Sequence, residues 1–412
     1  MYRILVLGNG FDIAHGLPTT YKDFLYVCAN AVGVKCDFNY SDNKKKRMKP
    51  ILDKFINDYK VYFKNIKKNI WLNYFYSIYQ NIGEKWVDFE SEIKIVCEKC
   101  NSKKLDEPLC FEHKMFESET IKGEYDIKKM KLHLMELIEF FNKYLLILPY
   151  DCVERYYSEI INFDPTFVIN FNYTDTYNKI YYESQKIDYV HGKVSKECNT
   201  MVLGFDSMNE ERFDVKFGEF LKYFQMVEKD IELDSYLEIQ KMNHEVKEKN
   251  EAVFFGHSLD KTDVDVIKTI IDSVGKVSLY YHNNEHKTQM MKNLIKIYGR
   301  KGFVNLTLSK NKKVYFIKQT SGKELNDENR EFIKNLLYSL DNFDFGNCTI
   351  EELKALINNP YIKLGYNNLQ TLLITLYSQQ NRISDNLFPY FLDIKEFLED
   401  GIEKVINRSL LI

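Results

Sequence analysis

The chain has 412 residues, 45% of them hydrophobic and 28% charged, which is the balance of a globular protein with a real core and length for two to three domains. A formal net charge of −3 argues against a nucleic-acid or anionic-membrane surface as its main business, and no apolar run approaches the roughly 20 residues that span a bilayer. Eight cysteines without a repeating spacing, and a start with no export signal, set the expectation of a reducing cytoplasm in which the thiols are small buried groups.

The first element is a predicted strand, Tyr2–Leu7, that ends in Gly8-Asn9-Gly10 and continues through Phe11-Asp12 into a helix start. Glycines at Gly8 and Gly10 let backbone N–H groups approach an anion, and the following helix points its dipole at the same place. The spacing lacks the third glycine of a dinucleotide fingerprint and the Gly-Lys-Ser/Thr of a P-loop, so a tight turn without a ligand stays open beside the phosphate cradle. The next residues, His15-Gly16-Leu17-Pro18, predict that the helix stops early and that a structured loop folds over the turn. The basic run Lys44–Lys49 reads as a solvated loop.

Residues 50–146 carry helical patterns, among them Ile51–Ile66, Asp88–Cys100 and Asp126–Leu145, and predict a helical insertion at about 40–150. Within it, Trp86, Asp88 and Glu90 read either as a buried Trp beside an acidic helix start or as a carboxylate reaching a sugar. Further predicted strands are Thr166–Phe171, Tyr189–Val190, Met201–Phe205, Ala252–Phe255, Val277–Tyr281 and Val314–Lys318. Several are almost continuously apolar, as strands covered on both faces of a parallel sheet are. The fold class is therefore α/β, Rossmann-like, with a mostly parallel sheet. A Glu/Lys-rich segment over about 209–249 reads as a long solvated helix, and the last stretch, 321–412, as a small helical appendage carrying IEELKALIN and DIKEFLEDGIEKVI.

Polar residues gather where these strands end. Asn172 follows Thr166–Phe171, and His191-Gly192 follows Tyr189–Val190. An amide that fixes a hydroxyl or a water, beside an imidazole that titrates near neutrality, is an acid/base pair if the two ends converge, and otherwise a set of satisfied turn residues. Gly256-His257-Ser258 repeats the strand–glycine–polar–helix pattern, with a helix expected from Asp263, which reads with Asp265 as a cap and a first-turn residue. His282 and His286 have the spacing of a helical metal pair without a third ligand, and a surface turn is the expectation there; no metal is expected anywhere.

Taken in order, GNGFDIAHGLPTTYKDF, WVDFE, FNYTDT, VHG and GHSLDKTD resemble the AbiH family of bacterial abortive-infection proteins, over residues 1 to about 320. More distantly the same order is similar to the sirtuin-like NAD-binding domain of phage-defence effectors, through Gly8-x-Gly10, Gly16-Leu17-Pro18, Asn172-Tyr173, His191-Gly192 and Gly256-His257-Ser258-Leu259. That resemblance implies a sirtuin-like domain over 1–320 with NAD as substrate or ligand. Asn172 and His191 would cleave the nicotinamide–ribose bond. Gly8, Asn9, Gly10, Phe11 and Asp12 would hold the pyrophosphate, with Gly16, Pro18, Tyr173, Gly256, His257 and Ser258 around the rest of the nucleotide. The sirtuin zinc module needs two Cys-x-x-Cys pairs and the chain has one, Cys97-x-x-Cys100, on a predicted helix, so neither zinc nor deacylation is expected. The implied role is an effector that binds and hydrolyses NAD, answering to a phage-derived trigger or a neighbouring defence protein, as a monomer or a homo-oligomer. A nucleotide-binding sensor without turnover, or a hydrolase of another nucleotide, are the alternatives.

Overall fold

The computed structural model describes residues 2–33, 38–82, 89–102, 109–111, 119–121, 123–150, 155–161, 163, 165–181, 187–206, 215–241, 247–260, 263–310, 312–320 and 323–324. The chain divides into two compact units, one of residues 1–153 and 163–321, the other of 154–162 and 322–412. The predicted C-terminal helices lie outside the described residues, as do Trp86 and Asp88. The second unit contributes a short antiparallel pair, β4 (Arg155–Tyr156) with β10 (Lys323–Glu324), and the helix Ser158–Ile161.

The first unit is built on a six-stranded, all-parallel sheet. Its strands are β1 (Arg3–Leu7), β5 (Phe167–Asn170), β6 (Ile187–Tyr189), β7 (Glu251–Phe255), β8 (Lys276–Tyr281) and β9 (Val314–Lys318). They lie in the order β6-β5-β1-β7-β8-β9. Counted along the chain this is 3-2-1-4-5-6, the doubly wound order of Rossmann-like sheets. The chain builds outward from β1 to one edge, then returns to lay β7 on the other side of β1. Ile4, Leu5, Val6 and Leu7 are fully buried, as a strand covered on both faces requires. Ile4 and Val6 face a core that holds the apolar sides of the helices Val264–Asp272 and Asn284–Thr307.

The second core belongs to the helical insertion. The helices Tyr21–Ala31, Asp42–Tyr59, Ile70–Ile82, Phe89–Ser102 and Gly123–Leu146 bury Phe24, Phe55, Trp71, Phe75, Phe89 and Tyr144 together. Two antiparallel strands, β2 (Leu109–Phe111) and β3 (Glu119–Ile121), interrupt the insertion where a purely helical region was expected.

Three expectations need correction. Lys44–Lys49 is not a loop; it lies in the first turns of Asp42–Tyr59, because Ser41 caps that helix by accepting from Lys44 N at 3.3 Å and buried Met48, Ile51 and Phe55 continue one face past Pro50. Met201–Phe205 is extended but joins no sheet. Leu203 N donates to the Gln225 side chain and Phe205 N to Phe220 O, so its polar backbone is satisfied by the neighbouring helical segment and not by a ladder. The Glu/Lys-rich segment is not one long helix. Its described parts are Val215–Phe220, Lys222–Glu228, Asp234–Gln240 and Lys247–Lys249, and Lys222 turns inward.

Candidate functional site at the switch of the sheet

The ladder register aligns Leu7 with Asn170 on one side and with Phe255 on the other, and Asn170 with Tyr189. The residues that follow, Gly8, Phe171, Val190 and Gly256, therefore leave the sheet at one edge, the carboxyl edge. β1 and β7 flank the point where the strand order reverses, the place at which open α/β sheets bind ligands. A cavity of about 720 Å³ opens there.

Of the predicted site residues, Gly8, Asn9, Gly10, Asp12, Asn172, Tyr173, His191, Gly256, His257 and Ser258 line this cavity, and Phe11, Gly16 and Pro18 do not. Phe11 points the other way, into a ring cluster with His15, Tyr177, Tyr181 and Phe255. Gly16 takes a φ of 85° past the end of the six-residue helix Asn9–Ala14 and accepts at its carbonyl from Arg47. The Pro18 carbonyl accepts from the Tyr144 hydroxyl. These two moor the loop to the insertion, and the residues after it, Thr19 to Lys22, border the cleft.

The glycine turn is packed more tightly than a bare anion cradle needs. Gly8 N donates to Phe255 O, Gly10 N to Gly256 O and Phe11 N to Gly8 O, so three N–H groups of the turn are already engaged. The glycines are required by the close approach of the two loops flanking the switch: a Cβ on Gly10 would stand 2.7 Å from Gly256 O. On the β7 side the chain stays strained, with Gly256 at φ 69° and the buried Leu259 at φ 58°. The left-handed region costs a branched residue about 1–2 kcal/mol. His257 offsets part of that by accepting from Leu259 N at its Nδ1, and burial pushes its imidazole down to about 4, which keeps it neutral.

The loop after β5 is stitched onto the glycine turn. Asn172 Nδ2 donates to Gly8 O at 3.0 Å, and Thr174 Oγ1 donates to Asp12 Oδ2 at 2.5 Å. The remaining oxygens, Asn172 Oδ1 and Asp12 Oδ1, are buried without a hydrogen-bond partner. Orphaned buried acceptors are expensive, and they are found where a ligand or ordered water supplies the donor. Burial raises the Asp12 carboxyl to about 6, against the opposing hydrogen bonds from Thr174 and Thr176. Because the folded chain then holds this proton more tightly than the unfolded one, stability is greatest below about pH 4 on this account and falls as pH rises to about 6. Roughly 3 kcal/mol is at stake. Asp12→Asn is expected to flatten that part of the stability–pH curve, which urea unfolding at pH 4.5 and pH 6.5 would measure.

His191 closes the far wall. Its Nε2 lies 2.9 Å from Asp263 Oδ1, and Lys222 Nζ stands 2.9 Å from the same oxygen and 2.8 Å from Glu90 Oε2. Asp263 is the N-cap residue of Val264–Asp272 as expected, but its side chain makes no capping hydrogen bond and serves His191 and Lys222 instead. Although burial opposes it, the Lys222 ammonium beside it holds the Asp263 carboxyl well below the usual range. Burial likewise lifts Asp206, nearby, to about 7. Sequence reasoning missed Lys222 and Asp206; the block GHSLDKTD did carry Asp263, and WVDFE carried Glu90.

The rest of the wall is mixed. His282 and His286 lie 4.6 Å apart between ring centroids, tilted by 32°, and line the cleft with Gln289 and Asp260. Among the described residues no group of three or more His, Cys, Asp or Glu side chains is placed to hold a metal ion. Cys97 and Cys100 both lie on Phe89–Ser102 as free thiols, Cys97 buried. No helix among the described residues is long and apolar enough to cross a membrane.

The family model described as bacteriophage abortive infection AbiH matches residues 4–282, and the chain belongs to that family. The match covers β1, the insertion, β5 to β8 and every residue of the cleft wall named above except His286 and Gln289. Comparison with curated proteins gave no match, and neither did comparison with solved structures.

Proposed function

We propose, from the premise that this chain is a member of the bacteriophage abortive infection AbiH family, that it is an effector whose cleft binds NAD and hydrolyses the nicotinamide–ribose bond. The observation that carries the reading is the convergence, at the switch of a 3-2-1-4-5-6 sheet, of Asn172 and an Asp-held histidine on one cavity. In the reaction the C–N bond breaks, its electron pair leaves with nicotinamide, and positive charge develops on the sugar. Water adds to that carbon and gives up a proton, leaving ADP-ribose.

The wall suits such a transition state. It carries Asp12, Glu90, Asp260 and Asp263 against two lysines, Lys22 on the wall and Lys222 behind it in ion pairs with Glu90 and Asp263, and the remaining excess of carboxylates favours a cationic sugar. His191 is the base: Asp263 takes its Nε2 side, which leaves Nδ1, unbonded among the described residues, to receive the proton of the attacking water. The orphaned Asn172 Oδ1 accepts from a ribose hydroxyl or from that water. The diphosphate lies between the glycine turn and Lys22. With three turn N–H groups already engaged, this contact is lighter than in a free phosphate cradle.

The test is incubation of the purified full chain with NAD, and separately with NADP and ADP-ribose, followed by chromatography of the products. Free nicotinamide and ADP-ribose in equal amounts are expected. Binding of NAD without release of nicotinamide would leave a non-catalytic sensor. Neither binding nor release would transfer the cleft to another nucleotide.

A further inference from the structure

Glu90 lies in the first turn of the insertion helix Phe89–Ser102, where an acidic residue ordinarily serves the helix dipole from the solvent side. This one is turned inward. It is 6% exposed and lines the cleft. The residue before it seats the helix start, because the Phe89 ring stacks on Tyr21 at 4.1 Å and on Phe75 at 4.0 Å. Lys222, 2% exposed, reaches Glu90 Oε2 at 2.8 Å and Asp263 Oδ1 at 2.9 Å. The same ammonium stands 3.2 Å from His191 Nε2, which sets Glu90 close to the imidazole and so at the reacting end of the cleft.

The other carboxylates of the wall are engaged or lie elsewhere. Asp263 spends Oδ1 on both His191 and Lys222. Asp12 belongs to the helix after the glycine turn and is bonded to Thr174. Asp260 is half-buried on the loop after β7. Among the described residues Lys222 is the ion-pair partner of Glu90, through Oε2, which leaves Oε1 for the cleft. One ammonium between two carboxylates leaves a negative charge uncompensated. Burial pushes the Glu90 carboxyl up and the Lys222 ammonium opposes that push, so the buried cation is what favours an anion there.

We propose that Glu90 is a catalytic residue: its Oε1 faces the ribose at the carbon that loses nicotinamide and stabilises the positive charge that develops there. The inference deepens the proposed hydrolysis and rests on it. Glu90 forms no bond and takes no proton in this step; the electron pair of the broken bond leaves with nicotinamide as before. A carboxylate fixed in a buried wall acts on such a charge far more strongly than one in water. The helical insertion thereby supplies part of the chemistry and not only a cover.

Three variants and two readouts test it. Glu90→Gln is expected to lower kcat for nicotinamide release by about 10²-fold with KM nearly unchanged, since the charge exists only in the transition state. Glu90→Asp, which keeps the charge one methylene farther back, is expected to fall between Glu90→Gln and the wild type. The second readout is calorimetric binding of ADP-ribose and of its analogue with a protonated pyrrolidine in place of the terminal ribose. The wild type is expected to prefer the cationic analogue by about 10-fold or more, and Glu90→Gln to lose that preference while still binding ADP-ribose. A rise in KM at constant kcat, or a preference for the cation that survives in Glu90→Gln, would overturn the proposal. Should Glu90→Gln not fold, the double variant Glu90→Gln/Lys222→Met decides, because it removes the buried pair together and keeps the net charge of the cluster. Wild-type kcat in that variant would equally overturn the assignment. If the wild type releases no nicotinamide but prefers the cation through Glu90, the hydrolase reading fails and the anionic subsite stands. A wild type that binds neither nucleotide ends both.

Discussion

His191→Ala is expected to lower nicotinamide release by about 10²–10⁴-fold, the range over which a positioned general base acts. The fold is expected to survive the change. His191 is buried, but the pair Lys222–Asp263 at 2.9 Å and the pair Lys222–Glu90 at 2.8 Å are both kept, so no charge is orphaned. A loss of about 1–2 kcal/mol in urea unfolding is the expected structural cost, an ordinary value for one buried side chain. Asp263→Asn is the informative partner. It leaves the imidazole without its anionic acceptor and leaves the Lys222 ammonium with one carboxylate fewer in a buried site. Breaking a buried ion pair from one side costs about 3–5 kcal/mol. Activity and stability should therefore fall together in Asp263→Asn and part company in His191→Ala. The comparison is made with initial rates at saturating NAD beside urea midpoints for the same preparations. If His191→Ala keeps more than a tenth of wild-type turnover, the imidazole is not the base.

The difference between those two residues also marks what could be read from the residues in order. The sheet was legible because a doubly covered strand writes itself as an apolar run with a polar stop. Val314–Lys318 was placed to the residue, and Arg3–Leu7 to within one. His191 and Asn172 were legible as polar residues just past such stops, and the ladder register then brings their loops to one edge. Lys222 was not legible. In the stretch KYFQMVEKD a lysine looks like one more solvated charge, and only the fold turns it toward Glu90 and Asp263. Asp263 was half legible: its position before a helix is a backbone property that sequence conveys, whereas the use of its carboxylate depends on a histidine in a distant segment. Met201–Phe205 failed for the opposite reason. Its aliphatic run is strand-like, but its hydrogen-bond partners are a glutamine side chain and a helical segment that no local pattern announces.

The glycines give the second large effect, and a more demanding test of how the cleft is held open. Gly256→Ala is expected to destabilise the chain by about 3–5 kcal/mol, the sum of left-handed backbone strain and an overpacked contact. At φ 69° an added Cβ would stand 2.0 Å from Phe11 N and 2.4 Å from Gly10 C. Both are backbone atoms, so no rotamer change relieves the clash. Gly33→Ala supplies the control. Gly33 has a similar φ of 78° with nothing within 4 Å of an added Cβ, so only the strain remains, about 1–2 kcal/mol, less what the unfolded chain loses in freedom. Urea midpoints followed by circular dichroism compare the two directly. A further consequence separates packing from ligand contact. If the turn served only to cradle a phosphate, alanine at Gly256 would weaken nucleotide binding and leave stability near that of Gly33→Ala. Because Gly10 N is already bonded to Gly256 O at 2.8 Å, the two loops are one mechanical unit, and forcing them apart moves Gly8 and, through its carbonyl, Asn172. Stability and the geometry at Asn172 are thus expected to fail together, with folded Gly256→Ala at low temperature still deficient in turnover. Equal midpoints for the two alanine variants would mean that the seam between the first and fourth strand ends is looser than its contacts require.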